Sequence, residues 1–101
     1  FPAFNKATNK LQIPTPVGYS SAGEIIELGP GVRDFKIGDK VSCSGMGHAE
    51  FVKVPINLCA IVPEKVSLDH AAFATIGSIA LQGIRQSHLQ IGESIVVIGL
   101  A

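Results

Sequence analysis

The pattern of hydrophobic and polar positions changes its period near Pro63. Before Pro63, short apolar stretches alternate with polar positions, and two turns, Gly29-Pro30-Gly31 and Gly38-Asp39, separate them. Alternation of this kind predicts half-buried strands. We place them over residues 22–28, from Val41 onward, over 49–54 and within 58–62. Several short strands with glycine turns between them predict a small β barrel or sandwich.

After Pro63 the apolar positions follow helical spacing. Ser67 is suited to cap a helix, and Asp69 would lie in the first turn, where the helix dipole favours an acid. The spacing predicts two helical stretches, over 68–75 and 77–88, joined at Gly77.

The last residues have a different pattern again. The β-branched run from Ile95 to Ile98 is followed by Gly99. Such a run is typical of a strand buried in a parallel sheet. A helix, a tight turn, a buried strand and a glycine, in that order, indicate the opening of a doubly wound dinucleotide-binding domain.

The chain therefore divides into three parts. Residues 1–16 are an N-terminal segment, with a short helix over 3–11 that Pro14 and Pro16 end. Residues 17–66 form the β domain, and residues 67–101 hold the helices and the final strand.

Apolar side chains in the two larger parts are the predicted core. In the β domain these are Val17, Ala22, Ile25, Val41, Phe51 and Val54. In the layer of helices and final strand they are Phe73, Ile76, Ile79, Ile84 and Val97.

Composition excludes several classes of protein. Of the 101 residues, 47% are hydrophobic and 16% charged, which argues against disorder. Eight basic residues balance eight acidic ones, and this zero net charge argues against a nucleic-acid or anionic-membrane partner, since both need a basic surface. No apolar run approaches the length of a membrane span, and the first residues show no cleavable signal. Two cysteines are too few for a disulfide framework, which favours reduced thiols and a cytoplasmic location.

Four stretches in this order resemble the medium-chain dehydrogenase/reductase superfamily: "TPVGYSSAGEIIELGPGVRDFKIGDKV", "HAEFVKVP", "VPEKVSLDHAAFATIGSIALQGIR" and "IGESIVVIGL". The likeness extends from Leu11 to the end of the chain. It implies a mostly β GroES-like partial barrel, followed by helices and the first strand of a truncated Rossmann α/β domain that binds NAD or NADP. The chain is then a fragment of a longer enzyme. A narrower likeness, to bacterial bi-domain oxidoreductases, implies a second oxidoreductase module in the same parent chain.

The resemblance also bears on metal binding. Zinc-dependent members carry Gly-His-Glu where this chain has Gly18-Tyr19-Ser20, and a further cysteine ligand would fall near Ala74. None of these side chains is a usual zinc ligand, so the resemblance implies the zinc-independent branch. Tyr19 would then face the substrate and donate a hydrogen bond or a proton to its carbonyl, with Ser20 beside it. The alternative is that Tyr19 packs on the barrel and Ser20 satisfies backbone groups.

Three residues are assigned to the nicotinamide cofactor by the resemblance. Ser78 would lie beside the nicotinamide, although it would equally suit a bond to a carbonyl of its own helix. Gly99 and Leu100 would begin the phosphate-binding turn. Ala101 stands where the family usually has a second glycine.

A different zinc site, made of Cys43, His48 and Cys59, is the less favoured interpretation. The spacing C-x4-H-x10-C contains no C-x2-C pair, and no fourth ligand is evident. Cys59 lies in an apolar strand, where a buried thiol acts as a small hydrophobic residue, and we assign no metal ligand.

Two functions remain open. The first is an NAD(P)-dependent oxidoreductase that transfers hydride to or from a carbonyl, an alcohol or a conjugated alkene. This chain would be one part of that enzyme and would be inactive by itself. The alternative is a non-enzymatic GroES-like assembly module. The alanine-rich helix and the strand from Ile95 to Ile98 favour the enzyme, because a barrel used only for assembly needs neither. We also expect a small-molecule substrate. The strand from Ile95 to Ile98 would have no neighbouring strand in this chain, so we expect it to pair with a second copy in a homodimer.

Overall fold

The structure is a computed structural model that describes residues 17–99. The helix predicted over 3–11, the interruption at Pro14 and Pro16, and the roles given to Leu100 and Ala101 lie outside the described residues. The division at residues 16/17 and 66/67 stays a prediction.

Three antiparallel strands form one sheet, in the order β1 (Ser20–Glu24), β2 (Lys40–Ser44) and β3 (Cys59–Ile61). Strand β2 is central. It pairs with β1 in the register Ser20 opposite Ser44, and with β3 in the register Cys43 opposite Cys59. This small sheet and the helices beside it are compatible with the predicted GroES-like partial barrel.

Strand β1 begins and ends earlier than the predicted strand over 22–28. The Ile25 amide donates to the Asp39 carbonyl at 3.0 Å, and the Gly38 amide donates to the Ile25 carbonyl at 2.8 Å. The chain leaves the ladder after these bonds. Gly38 has φ of +91°, and the Asp39 carboxylate accepts from the Lys36 amide at 2.7 Å. The predicted Gly38-Asp39 turn is therefore confirmed.

The predicted strand over 49–54 is wrong. No strand within residues 17–99 pairs with this segment, and Phe51 is 67% exposed. A 3-10 turn, Ile56–Leu58, follows it and leads into β3. Alternating polarity favours a strand only where a neighbouring strand accepts its hydrogen bonds and a layer covers its apolar face, and the described part of the chain supplies neither.

Two helices follow, α1 (Leu68–Ala71) and α2 (Ala74–Gln86). The predicted cap is confirmed, because the Ser67 hydroxyl accepts from the His70 amide at 3.4 Å. The predicted junction at Gly77 is wrong: α1 ends before Ala72, and Gly77 lies inside α2.

The hydrogen-bond ladder explains where these helices begin and end. The Gly77 amide donates to the Phe73 carbonyl at 2.8 Å, which carries α2 through the glycine. At the other end His88 has φ of +54°, a left-handed conformation that stops a helix. Helix α2 therefore ends two residues before the predicted end of the second stretch.

Small side chains bring the helices close to one face of the sheet. Residues directly opposite one another in an antiparallel pair share a face, so Ser20, Ala22, Ser42 and Ser44 lie together. The Ser20 hydroxyl donates to the Ala72 carbonyl between the two helices, which places the helices on this face. The Thr75 hydroxyl adds a bond of 3.4 Å to the Cys43 carbonyl.

The buried residues cluster around β2 and α1. They are Val41, Ser42, Cys43, Val62 and Ala71. Of the predicted core, Val41 is therefore confirmed, and Ala22, Ile25 and Val54 are half-buried. The prediction is wrong for Val17 and Phe51 and for the whole second set, Phe73, Ile76, Ile79, Ile84 and Val97, all of which are exposed. No layer within the described chain covers these side chains, so their apolar spacing does not result in burial.

The last described residues carry no strand. Residues 93–99 have no ladder partner within the described chain, and Ile98 is 92% exposed. The assignment of Ile95 to Ile98 as a first Rossmann strand therefore stays a prediction. Neither of the two described helices has the length and hydropathy needed to cross a bilayer.

Candidate functional site

The stretch Gly18-Tyr19-Ser20 enters the sheet at the start of β1. The Tyr19 carbonyl accepts from the Gly45 amide at 2.9 Å, so the loop after β2 folds back beside it. Tyr19 is 47% exposed, which leaves its side chain accessible to a small molecule. The structure thus places Tyr19 at the edge of the sheet, next to the first residues of that loop.

His48 lies against Gly18, a contact that sequence reasoning did not assign. Gly18 has φ of +80°, and a Cβ added there would collide with His48 Nε2. Only glycine suits both the backbone conformation and this contact. The pair puts an imidazole beside the residue that precedes Tyr19. No spacing in the sequence signals the contact, because His48 comes far after Gly18 in the chain and only the fold of the loop brings the two together.

Ser20 is tied to the helix layer. Its hydroxyl donates to the Ala72 carbonyl at the break between α1 and α2. Because the hydroxyl has donated its one hydrogen to this bond, Ser20 can only accept a hydrogen bond from a ligand. The bond supports the alternative in which Ser20 satisfies a backbone group, and it also fixes the start of β1 against the helices.

The residues assigned to the cofactor are not gathered into one site by the described chain. Ser78 lies in α2 and donates to the Ala74 carbonyl of its own helix at 2.8 Å. Gly99 has φ of +85°, and nothing lies within 4 Å of the place where a Cβ would stand. The Ser78 hydroxyl therefore donates within its own helix and can still accept a hydrogen bond. Gly99 has the positive φ that a glycine turn requires.

The possible metal ligands are separated. Cys43 and Cys59 lie opposite each other with 3.8 Å between their sulfurs, whereas His48 lies against Gly18. Within residues 17–99 no three histidine, cysteine or acidic side chains are arranged to hold a metal ion. Ala74, near which the resemblance implies a family cysteine ligand, is the first residue of α2.

Burial changes the chemistry of Cys43. Removal from water, and secondarily the neighbouring Cys59, raise the pKa of the Cys43 thiol to about 11. Cys43 is therefore a protonated, weakly nucleophilic thiol at neutral pH.

A cavity of about 290 Å³, lined by both apolar and polar residues, lies on the sheet face away from the helices. Its lining includes Val41, Cys43 and Cys59 from the strands, and Ile25, Phe35 and Val54 from the connections. Tyr19, Ser20 and Ser78 do not line it. The cavity thus lies against one face of the three-stranded sheet, and the predicted site lies elsewhere.

The sheet, the helices packed on its small side chains and the cavity on its other face together define a small β domain that is compatible with a GroES-like partial barrel. Residues 3–80 match the alcohol dehydrogenase GroES-like domain, so the chain belongs to that family, part of the medium-chain dehydrogenases. The resemblance inferred from the sequence is confirmed at this level.

Several similar proteins are named as dehydrogenases or oxidoreductases. The chain is 26% identical to (R,R)-butanediol dehydrogenase of Bacillus subtilis, over 85% of this chain and 32% of the relative. It is 29% identical to L-threonine 3-dehydrogenase of a Marinomonas species, over 92% of this chain and 36% of the relative. It is 39% identical to the chloroplast envelope quinone oxidoreductase homolog of Arabidopsis thaliana, over 62% of this chain and 21% of the relative.

The chain therefore spans about a third of the length of the first two of these relatives. No solved structure matches it.

Proposed function

We propose that the chain is the substrate-side part of an NAD(P)-dependent oxidoreductase that transfers hydride to or from a carbonyl, an alcohol or a conjugated alkene. The observation that carries the proposal is the family match over residues 3–80, together with relatives that are named as dehydrogenases and oxidoreductases. The activity belongs to the longer protein of which such a domain is one part.

Tyr19 is proposed as the residue that polarises the substrate. Its exposure leaves the phenol free to donate a hydrogen bond to a carbonyl oxygen, or a proton to a developing alkoxide. The bond from the Gly45 amide holds its backbone in place. Ser20 lies beside it and offers an acceptor only, because its proton goes to Ala72.

The side chains at the expected zinc-binding positions support a zinc-independent mechanism. By the resemblance, Tyr19, Ser20 and Ala74 fall at or near positions at which zinc-dependent members of the family carry ligands, and none of the three is a usual zinc ligand. The phenol of Tyr19 would take over the polarising role of the metal.

A nicotinamide cofactor would supply the hydride acceptor or donor. From this chain, Gly99 fits the close approach of a phosphate, because its φ is +85° and the space beside its Cα is open. Ser78 would accept a hydrogen bond from the nicotinamide carboxamide through the lone pairs that its bond to Ala74 leaves unused.

The narrower resemblance adds a second oxidoreductase module to the same polypeptide. Translation of the gene beyond residue 101 tests this directly. A continuation with a Rossmann pattern and a second module supports the proposal, and a stop codon soon after residue 101 favours the assembly module.

The activity test uses the complete gene product. Oxidation of reduced nicotinamide is followed with a panel of aldehydes, ketones and enones, for the wild type and for Tyr19→Phe. Tyr19→Phe should lower kcat by about 10²–10⁴-fold, the usual contribution of a positioned acid, while metal analysis finds no stoichiometric zinc. Unchanged kcat in Tyr19→Phe, or near-stoichiometric zinc, would contradict the proposed role of Tyr19.

A further inference from the structure

Two cysteines face each other across neighbouring strands. Cys43 of β2 and Cys59 of β3 are directly opposite in the register, and their sulfurs lie 3.8 Å apart. Both are free thiols. They are 16 positions apart in the sequence, so only the pairing of β2 with β3 brings them together.

The ladder defines what kind of pair this is. The Val62 amide donates to the Lys40 carbonyl at 2.9 Å, so these two residues form a hydrogen-bonded pair. Hydrogen-bonded and non-hydrogen-bonded pairs alternate along antiparallel strands. Cys43 and Cys59, three steps further on, are therefore a non-hydrogen-bonded pair, in which the Cα atoms are about 4.5 Å apart. That separation lies at the near end of the range that a disulfide spans.

We propose that Cys43 and Cys59 are an intrachain oxidation site, at which a peroxide converts the two thiols into a cross-strand disulfide. The site is independent of the proposed oxidoreductase activity, because it uses neither Tyr19 nor the cofactor residues.

The reaction takes place in two steps. The Cys59 sulfur attacks the peroxide oxygen and breaks the O–O bond, which gives a sulfenic acid and the first water. The Cys43 sulfur then attacks the Cys59 sulfur and loses its proton, the S–S bond forms, and the hydroxyl leaves as the second water. Two thiols are oxidised by two electrons in total, and one hydrogen peroxide is reduced to two waters.

Exposure determines the order of these steps. Cys59 is half-buried, whereas Cys43 is buried, so peroxide reaches Cys59 first. Burial also raises the pKa of Cys43 and keeps it protonated at neutral pH. Disulfide closure should therefore become faster as the pH rises toward the pKa of Cys43.

A disulfide here would join β2 to β3 covalently. Both cysteines line the cavity on this face of the sheet, so oxidation would hold the two strands of that wall at a fixed separation. The closed loop would contain the segment over 49–54 and the 3-10 turn. The disulfide would restrict the conformations that this loop adopts in the unfolded chain. Oxidised protein should consequently unfold at a higher temperature than reduced protein.

The test treats the native protein with limiting hydrogen peroxide and follows free thiols, peptide masses and Tm. Both thiols should disappear together, the peptides containing residues 43 and 59 should be linked, Tm should rise, and dithiothreitol should reverse all three changes. The protein oxidised in denaturant is the control for the reactivity of unpaired thiols.

Two single variants separate the roles of the cysteines. Cys43→Ser should leave a sulfenic acid on Cys59 that dimedone traps. Cys59→Ser should react several-fold more slowly, because the remaining thiol is buried. Native wild type that links no faster than denatured protein, or that accumulates oxidised Cys59 beside reduced Cys43, would overturn the proposal.

Discussion

The two α-helices within residues 17–99 both carry apolar side chains but have different surroundings. Helix α1 packs on the small side chains of the sheet, and Ala71 is buried there. Helix α2 begins beside the sheet at Thr75, yet every residue from position 76 to 86 is exposed. Hydrophobic spacing therefore predicts that a helix forms, whereas burial depends on whether another element lies against its apolar face.

The hydrogen bonds show the same difference. Ser20 and Thr75 connect strand and helix across many residues of sequence. Ser78 and Ser87, further along the chain, bond only to carbonyls of α2 itself. The hydrogen bonds between sheet and helices thus end within the first turn of α2.

The largest expected difference between the two helices comes from a pair of identical substitutions. Ala71→Lys places an unpaired ammonium group where α1 meets the sheet, and we expect a loss of about 3 kcal/mol or more in the free energy of unfolding. Ala80→Lys, on exposed α2, should change it by less than about 0.5 kcal/mol. Chemical denaturation measures both. Equal losses would show that α2 is packed as tightly as α1.

A second pair of variants tests the contact between Gly18 and His48. Gly18→Ala combines a positive φ with a collision against the imidazole, and Gly31→Ala has a similar φ with open space around it. We expect Gly31→Ala to cost about 1–2 kcal/mol from the backbone alone, and Gly18→Ala to cost more.

The double variant Gly18→Ala/His48→Ala supplies the control. Removing the imidazole should reduce the cost of Gly18→Ala to that of Gly31→Ala. A double variant as unstable as Gly18→Ala alone would show that His48 does not lie against Gly18.

The smallest effect concerns two serine hydroxyls. Ser20→Ala removes the bond that crosses from β1 to the helices and should cost about 0.5–1.5 kcal/mol. Ser78→Ala removes a bond within α2 and replaces serine by a better helix former, so the cost should be close to zero. Thermal unfolding measures the two. A costly Ser78→Ala would mean that this serine has a partner outside its own helix.

Local signals in the sequence predicted local structure well. The cap at Ser67 and the turn at Gly38-Asp39 depend on a few neighbouring residues, and both are confirmed. The family was evident from the order and separation of motifs, and the match over residues 3–80 confirms it.

Predictions that depended on distant partners were less successful. The strand over 49–54 and the burial of Phe51 required a neighbouring strand and a covering layer, which alternation alone does not supply. The junction at Gly77 was wrong because the intact ladder from Phe73 outweighs the weak helix propensity of one glycine. The contact of His48 with Gly18 depends on how a loop folds back, and no local pattern encodes it.

Amide hydrogen exchange tests the contrast between packed and uncovered parts of the chain most directly. The account predicts that the slowest exchange occurs in β2, which is paired on both sides and lies among buried residues. In a polypeptide of residues 1–101 alone, residues 93–99, which have no ladder partners in the described chain, should exchange at nearly the rate of an unfolded peptide. Protection of Ile95 to Ile98 equal to that of β2 would contradict the account.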